Sequence, residues 1–125
     1  MSIAEPLFIG TVGAILYGLI EILWRGHTHW TMLLLGGACF MVMYLIASLD
    51  SWPIAQKWLC CAAVITTLEF ITGVIVNIRL GWNVWDYSNL PLNLYGQICL
   101  LYSTFWFLLS IPGTALCRLI KERIF

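Results

Sequence analysis

Apolar residues fall along this chain in four long runs that are separated by short polar breaks. A helix needs about 20 mostly apolar residues to cross the hydrocarbon core of a bilayer, and each run is about that long. Because a helix satisfies its own backbone hydrogen bonds in lipid, the pattern predicts an all-α fold, a four-transmembrane-helix bundle in one membrane domain. The predicted domain is 1–125, and its spans are approximately 6–24, 31–49, 54–77 and 95–117.

The composition favours the same class of protein. Hydrophobic residues make up 62% of the chain and charged residues 10%, and the mean hydropathy is +0.93. Since soluble domains carry about 25% charged residues, this chain is too apolar to cover its own surface in water. The formal net charge is zero, which gives no reason to expect nucleic acid as a partner. The start, MSIAEP, lacks a basic segment, so we expect the first helix to be retained rather than removed as a signal peptide.

The basic residues predict an orientation in the membrane. Arg118, Lys121 and Arg123 follow the fourth run, and Lys57 lies by the second break. Lysine and arginine are enriched on the cytoplasmic side of membranes, so both termini are expected in the cytoplasm. The first and third breaks, RGHTHW and RLGWNVWDYSNLPLN, then share the opposite face.

One face of the first predicted helix is both small and polar. Gly10, Ala14 and Gly18 recur at every fourth position, which is typical of helices that pack closely in a membrane, and they indicate a packing interface that a homodimer would use. Glu21 and Arg25 continue this face. They are either a simple ion pair at the membrane edge, with the arginine reaching toward water, or part of a polar site.

The third predicted helix carries a carboxylate near its middle. A charged group at that depth costs about 2.5–3.5 kcal/mol on insertion scales, so Glu69 must be neutralised, paired or reached by water. Thr66, Gly73 and Asn77 lie on the same stripe. Glu69 is either a neutral carboxyl that bonds a neighbouring helix, or a working group in a site or pathway.

The start of the fourth run adds amide side chains. Asn93 is a candidate N-cap of the fourth helix, and Gln97 and Thr104 would follow it on one face. Pro112 should kink or end this helix toward the cytoplasm. If the stripes of spans one, three and four converge, they enclose a polar cavity that opens toward the two long breaks.

The polar breaks allow three interpretations: a metal site, a nucleophilic serine and an interfacial loop. His27, His29 and Asp86 share a face of the membrane and are candidate Zn²⁺ ligands, although the His-x-His spacing alone is unspecific. Ser88 has no Gly-x-Ser-x-Gly elbow around it, so we do not expect a serine hydrolase. The stretch that contains Tyr87 also fits an interfacial loop whose aromatic residues lie among the headgroups.

WDYSNLPLNLYGQICLLYSTFW, residues 85–106, preceded by LEFITG, resembles the CmpB-like family of small bacterial membrane proteins, which is labelled ABC-transporter permease, type IV. IEILWRG resembles the first acidic helix of that family. The resemblance implies a bacterial membrane permease. It marks these positions: Glu21, Arg25, Glu69, Trp85, Asp86, Tyr87, Ser88, Pro91, Asn93, Gly96 and Gln97.

These observations predict a transporter-like or permease-like protein whose acid-lined cavity binds or moves a small polar or cationic solute. The alternatives are a scaffold or accessory subunit of a larger complex and, third, an intramembrane enzyme acting on lipid. We expect no cofactor, and we expect the bilayer and a second copy or larger membrane partner as partners. The predicted pathway residues are Glu21, Arg25, Glu69, Asn77, Asp86, Tyr87, Ser88, Asn93 and Gln97.

Overall fold

Four long helices dominate the computed structural model, which describes residues 3–125. Each of the four is long and apolar enough to cross a membrane, so the predicted all-α fold with four spans is confirmed. The helices are α1 (Ala4–Arg25), α2 (Trp30–Ala47), α3 (Ile54–Gly73) and α4 (Leu100–Arg123). A π-helix (Val74–Arg79) continues α3, and two short strands, β1 (Asn93–Leu94) and β2 (Ile98–Cys99), precede α4.

The fourth helix begins later than the predicted 95–117 and ends later too. β1 and β2 pair antiparallel immediately before it, and Tyr95 and Gly96 between them have positive φ angles of 53° and 71°. Positive φ at consecutive turn positions is typical of a tight hairpin and incompatible with a right-handed helix. Asn93 is therefore not the N-cap of α4, and Gln97 lies in the hairpin instead of on a helix face. Pro112 does not end the helix, which continues to Arg123.

The third helix changes its hydrogen bonding near its end. In the π-helix, the backbone N–H of Leu80 donates to the carbonyl of Ile75 over 2.9 Å, five residues back instead of four. Asn77 lies in this wider turn. Single π turns are frequent at functional sites, where they change the direction of the side chains that follow.

The contacts divide the chain into two compact units. Unit 1 consists of Met1–Trp52 with Pro112–Phe125, and unit 2 is Pro53–Ile111. The first half of α4 thus belongs to unit 2, and its second half to unit 1.

Glycines allow α1 and α2 to approach closely in unit 1. A Cβ added to Gly13 would lie 2.4 Å from Phe40 Cβ, one added to Gly36 would lie 2.4 Å from Tyr17 Cβ, and one added to Gly37 would lie 2.7 Å from the Gly10 carbonyl oxygen. Because real Cβ atoms do not come so close, these contacts require glycine. Close backbone approach is how membrane helices gain dispersion energy that lipid does not supply.

The three small residues predicted as an interface occupy different surroundings. Gly18 is buried, and a Cβ there would lie 2.7 Å from Leu33 Cδ2. Gly10 and Ala14 line an open apolar groove of about 450 Å³ between α1 and α2. A Cβ added to Gly10 would meet nothing within 4 Å. Association through this face stays a prediction.

A polar cluster joins the first turn of α1 to α2 and to the end of α4 within unit 1. The hydroxyl of Tyr44 donates a hydrogen bond to the buried carboxylate of Glu5. Lys121 Nζ lies 3.6 Å from Glu5 Oε1 and 5.3 Å from the centre of the Tyr44 ring. Lys121 thus makes an ion pair and a cation–π contact at once, which ties the end of α4 to α1 and α2.

Candidate functional site

Glu69 is the most deeply buried charged side chain among the described residues of unit 2, with 1% of its surface exposed. It lies on α3, away from both ends of the apolar helical segment Ile54–Arg79. The Tyr87 hydroxyl, which comes from the segment between the π-helix and β1, donates a hydrogen bond to Glu69 Oε2 over 3.2 Å. The sequence argument required a partner from another element, and Tyr87 is one.

Further side-chain contacts join α3 and this segment to α4. The ring of Tyr87 stacks on that of Tyr102 at a centroid distance of 4.7 Å and an interplanar angle of 10°. Thr66, one turn before Glu69, donates from Oγ1 to Ser103 Oγ over 3.1 Å. The two sets of contacts link α3, the loop and the start of α4 within unit 2. We call these five side chains the Glu69 cluster: Thr66, Glu69, Tyr87, Tyr102 and Ser103.

Asn77 attaches the loop to the π-helix. Its Nδ2 donates to Gln97 Oε1 over 2.8 Å, and its Oδ1 accepts from the backbone N–H groups of Val84 (2.6 Å) and Trp85 (3.4 Å). Gln97 in turn donates from Nε2 to the Tyr95 carbonyl over 2.9 Å, and its own carbonyl accepts from Trp85 Nε1 over 3.0 Å. Both predicted residues therefore meet, and they position the loop that carries Tyr87.

The loop itself is held by short-range polar contacts. Asp86 Oδ1 accepts from the backbone N–H of Ser88 over 2.9 Å, and Asn93 Oδ1 accepts from that of Gly96 over 3.0 Å. Hydrogen bonds from Ser88 hold the pKa of the Asp86 carboxyl below its ordinary value. Asp86 and Ser88 are exposed, so they form the outer surface of the loop. Asn93 also donates from Nδ2 to the Leu90 carbonyl over 2.8 Å, which makes it a loop brace.

Two predicted pathway residues belong to the other unit. Arg25 Nε lies 3.4 Å from Glu21 Oε2, so these residues form the i,i+4 pair that their spacing predicts. Both lie in unit 1, whereas the Glu69 cluster lies in unit 2. The predicted pathway therefore divides into a set that the structure joins by hydrogen bonds and a separate pair on α1.

The two histidines have different surroundings. His29 Nδ1 lies 2.7 Å from Thr31 Oγ1 and accepts from the Thr31 backbone N–H over 3.3 Å, so His29 caps the start of α2. His27 is exposed. Within residues 3–125, no group of three or more His, Cys, Asp or Glu side chains is placed to hold a metal ion.

Sequence reasoning missed the Glu5–Tyr44–Lys121 cluster and the part that Tyr102 plays. The three members of the first come from distant parts of the chain, and each by itself looks like an ordinary residue at the end of a helix. Tyr102 follows the hairpin, and only the position of the hairpin shows that its ring meets Tyr87. Aromatic residues near a buried acid were the available signal.

One family model matches nearly the whole chain. Residues 8–124 match the model of the family described as "Putative ABC-transporter type IV". The chain belongs to this family. No curated protein and no solved structure is significantly similar to it.

Membership in the type IV family agrees with a multi-pass membrane protein that is related to ABC transporters. The matched residues include the whole Glu69 cluster and the loop that covers it. The earlier resemblance to the CmpB-like family is therefore confirmed.

Proposed function

We propose that this chain is a permease-type protein of the bacterial plasma membrane that binds a small cationic solute at the Glu69 cluster and lets it pass. The observation that carries the proposal is the burial of the Glu69 carboxylate within an apolar helix, in contact with the hydroxyl of Tyr87. Ionisable groups at such depth are expensive and commonly mark the path of an ion or substrate.

The distribution of charge in unit 2 favours a cation. The basic residues on the α3 segment, Lys57 and Arg79, stand toward its two ends. At the helical rise of about 1.5 Å per residue, each is roughly 15 Å or more from Glu69 along the axis. The cluster itself therefore contributes one carboxylate and several hydroxyl groups, a set of oxygen atoms that attracts a cation.

The aromatic rings favour the same class of solute. The faces of tyrosine rings attract cations, and Tyr87, whose ring stacks on that of Tyr102, lies beside the carboxylate. A cation that reaches Glu69 replaces the Tyr87 hydroxyl as its partner. In this proposal Tyr87 is the residue that opens and closes the site, and the exposed Asp86 attracts solute to the mouth of the path.

Flux through reconstituted protein tests the proposal. We would place the full chain in liposomes and measure uptake of rubidium and of methylammonium by the unmodified protein, Glu69→Gln and Tyr87→Phe. Glu122→Gln is the control, because Glu122 is exposed and belongs to unit 1. We expect Glu69→Gln to lower uptake at least tenfold, equivalent to about 1.4 kcal/mol, while the control keeps it. Tyr87→Phe should change the concentration dependence of uptake more than its maximum rate.

The scaffold alternative gives a different outcome in the same experiment. Hydrogen bonds such as Asn77–Gln97 hold elements together without any need for a solute. If Glu69 only joins helices, Glu69→Gln lowers the unfolding temperature in detergent, and no variant changes uptake. Equal uptake by Glu69→Gln and unmodified protein, both folded, would reject the permease proposal.

A further inference from the structure

The Glu21–Arg25 pair contains an oxygen that the described part of the protein leaves unsatisfied. Glu21 is 5% exposed; its Oε2 faces Arg25 Nε at 3.4 Å, and the Tyr17 side chain also hydrogen-bonds to the carboxylate. Within residues 3–125, Glu21 Oε1 is buried and accepts no hydrogen bond. Buried acceptors without a donor are rare in native proteins, because they lose their hydrogen bonds to water and gain none in return. This atom therefore calls for a donor from outside the chain.

The charges next to this oxygen limit which donor fits. Arg25 repels a bare metal ion, but it attracts an anionic group that lies beside a cationic one. The pair is also at the C-terminal end of α1, where the helix dipole favours a positive charge. A zwitterion with an ammonium group near a phosphate matches this arrangement of carboxylate and guanidinium.

The position of the pair along α1 indicates where such a zwitterion comes from. The helix ends at Arg25, and Gly26 reverses the chain with a φ angle of 82°. Trp24 and Trp30 on the two sides of this turn expose 65% and 56% of their surfaces. Exposed tryptophans at the ends of membrane helices lie at the level of the lipid headgroups, so the pair lies at that level too.

We propose that Glu21 and Arg25 bind the headgroup of a phospholipid with a primary ammonium group, as in phosphatidylethanolamine. The ammonium donates a hydrogen bond to Glu21 Oε1, and Arg25 donates to the phosphate. The side chains of Arg25 and Glu21 expose 22% and 6% of their surfaces, so the guanidinium is the more accessible half of the pair. A choline headgroup has no N–H and leaves Glu21 unsatisfied. Neither residue belongs to the Glu69 cluster.

Lipid binding to the unmodified chain tests the chemistry directly. The purified protein would be titrated in detergent with phosphatidylethanolamine, its N-methyl and N,N-dimethyl derivatives, phosphatidylcholine and phosphatidylglycerol, and bound lipid counted by native mass spectrometry. We expect phosphatidylethanolamine to bind about tenfold more tightly than phosphatidylcholine, a ratio equivalent to about 1.4 kcal/mol, with the methylated lipids between them. Equal binding of the choline lipid, or equal binding of phosphatidylglycerol, would overturn the proposal.

Variants identify the residues. Glu21→Met keeps the length of the side chain but removes the acceptor, and it should abolish the preference for the ethanolamine lipid. The matched control is Glu122→Met. Arg118 and Glu122 also form an i,i+4 pair, at 3.9 Å, but this pair is exposed and lies on α4. Retention of the preference by Glu21→Met would show that the headgroup binds elsewhere. If Glu21→Met does not fold, the methylation series on the unmodified protein still decides, and Glu69→Gln should keep the preference whether or not it transports.

Discussion

Gly73 is the residue whose replacement should do most damage to the Glu69 loop for the smallest change in chemistry. A Cβ at this position would lie 2.6 Å from Gln97 Oε1, 2.9 Å from Gln97 Cβ and 3.0 Å from Trp85 Cζ2. Neither neighbour moves without loss, because Gln97 is bonded to Asn77 and Trp85 is bonded to the Gln97 carbonyl. Forcing an extra methyl into a packed site costs about 1–3 kcal/mol. Alanine recovers about 1 kcal/mol of helix propensity.

We therefore expect Gly73→Ala to lower the free energy of unfolding by about 1 kcal/mol, the balance of these two effects. Gly10→Ala is the matched control, since Gly10 is also helical and an added Cβ there meets nothing within 4 Å. The control should gain about 0.5–1 kcal/mol. Unfolding in mixed micelles, followed by circular dichroism, measures both variants. If Gly73→Ala and Gly10→Ala are equally stable, the close contact between α3 and the loop is not formed.

Two further predictions concern the exposed Asp86 and the buried hydrogen bond between Tyr44 and Glu5. The depressed pKa of Asp86 means that its stabilisation of the loop is present above the unfolded-state pKa of about 3.9 and is lost as the pH falls through the lower, folded value. Tryptophan emission should thus change on acidification below about pH 4, and Asp86→Asn should remove that change; an unaltered acid transition would contradict it. Tyr44→Phe keeps the ring under Lys121 but removes the donor to Glu5, so it should lower the unfolding free energy by about 1–2 kcal/mol. Unchanged stability of Tyr44→Phe in the same micelle assay would show that this hydrogen bond contributes nothing.

The four spans could be predicted from the sequence because lipid imposes one strong constraint on the backbone. Because the bilayer core holds no water, the backbone N–H and C=O groups there must hydrogen-bond to each other. Length and hydropathy then locate the helices to within a few residues. The pairing of Glu21 with Arg25 could be predicted for a similar reason, since i,i+4 neighbours on a helix meet whatever surrounds them.

The hairpin before α4 could not be predicted in the same way. The sequence LYGQICLL, residues 94–101, is as apolar as the helix that follows it, so hydropathy does not distinguish a hairpin from a helix here. The decisive signal was Gly96, which supplies one of the positive φ angles of the turn. Because the hairpin was missed, Asn93 and Gln97 were assigned to a helix, although their partners in the structure are Gly96 and Asn77.

The partner of Glu69 was beyond the sequence for a different reason. An acidic side chain in the middle of a span needs a polar partner, but the sequence does not identify which of many polar residues is that partner. Tyr87 reaches Glu69 only because the loop is fastened at Asn77, and that depends on the geometry of one irregular turn.

The π-helix Val74–Arg79 depends on the number of residues at this point of the chain. Closing a ring over five residues in place of four takes up one extra amino acid within the turn, so deleting one would restore regular α geometry and leave the helix after it in nearly the same register. A relative shorter by that single residue would cross the membrane equally well, and its loop would leave from the same side of the helix, but it would lack the wider turn in which Asn77 lies. In comparing members of the family, a gap of one position here would therefore mark the loss of the wider turn and leave the path of the chain unchanged.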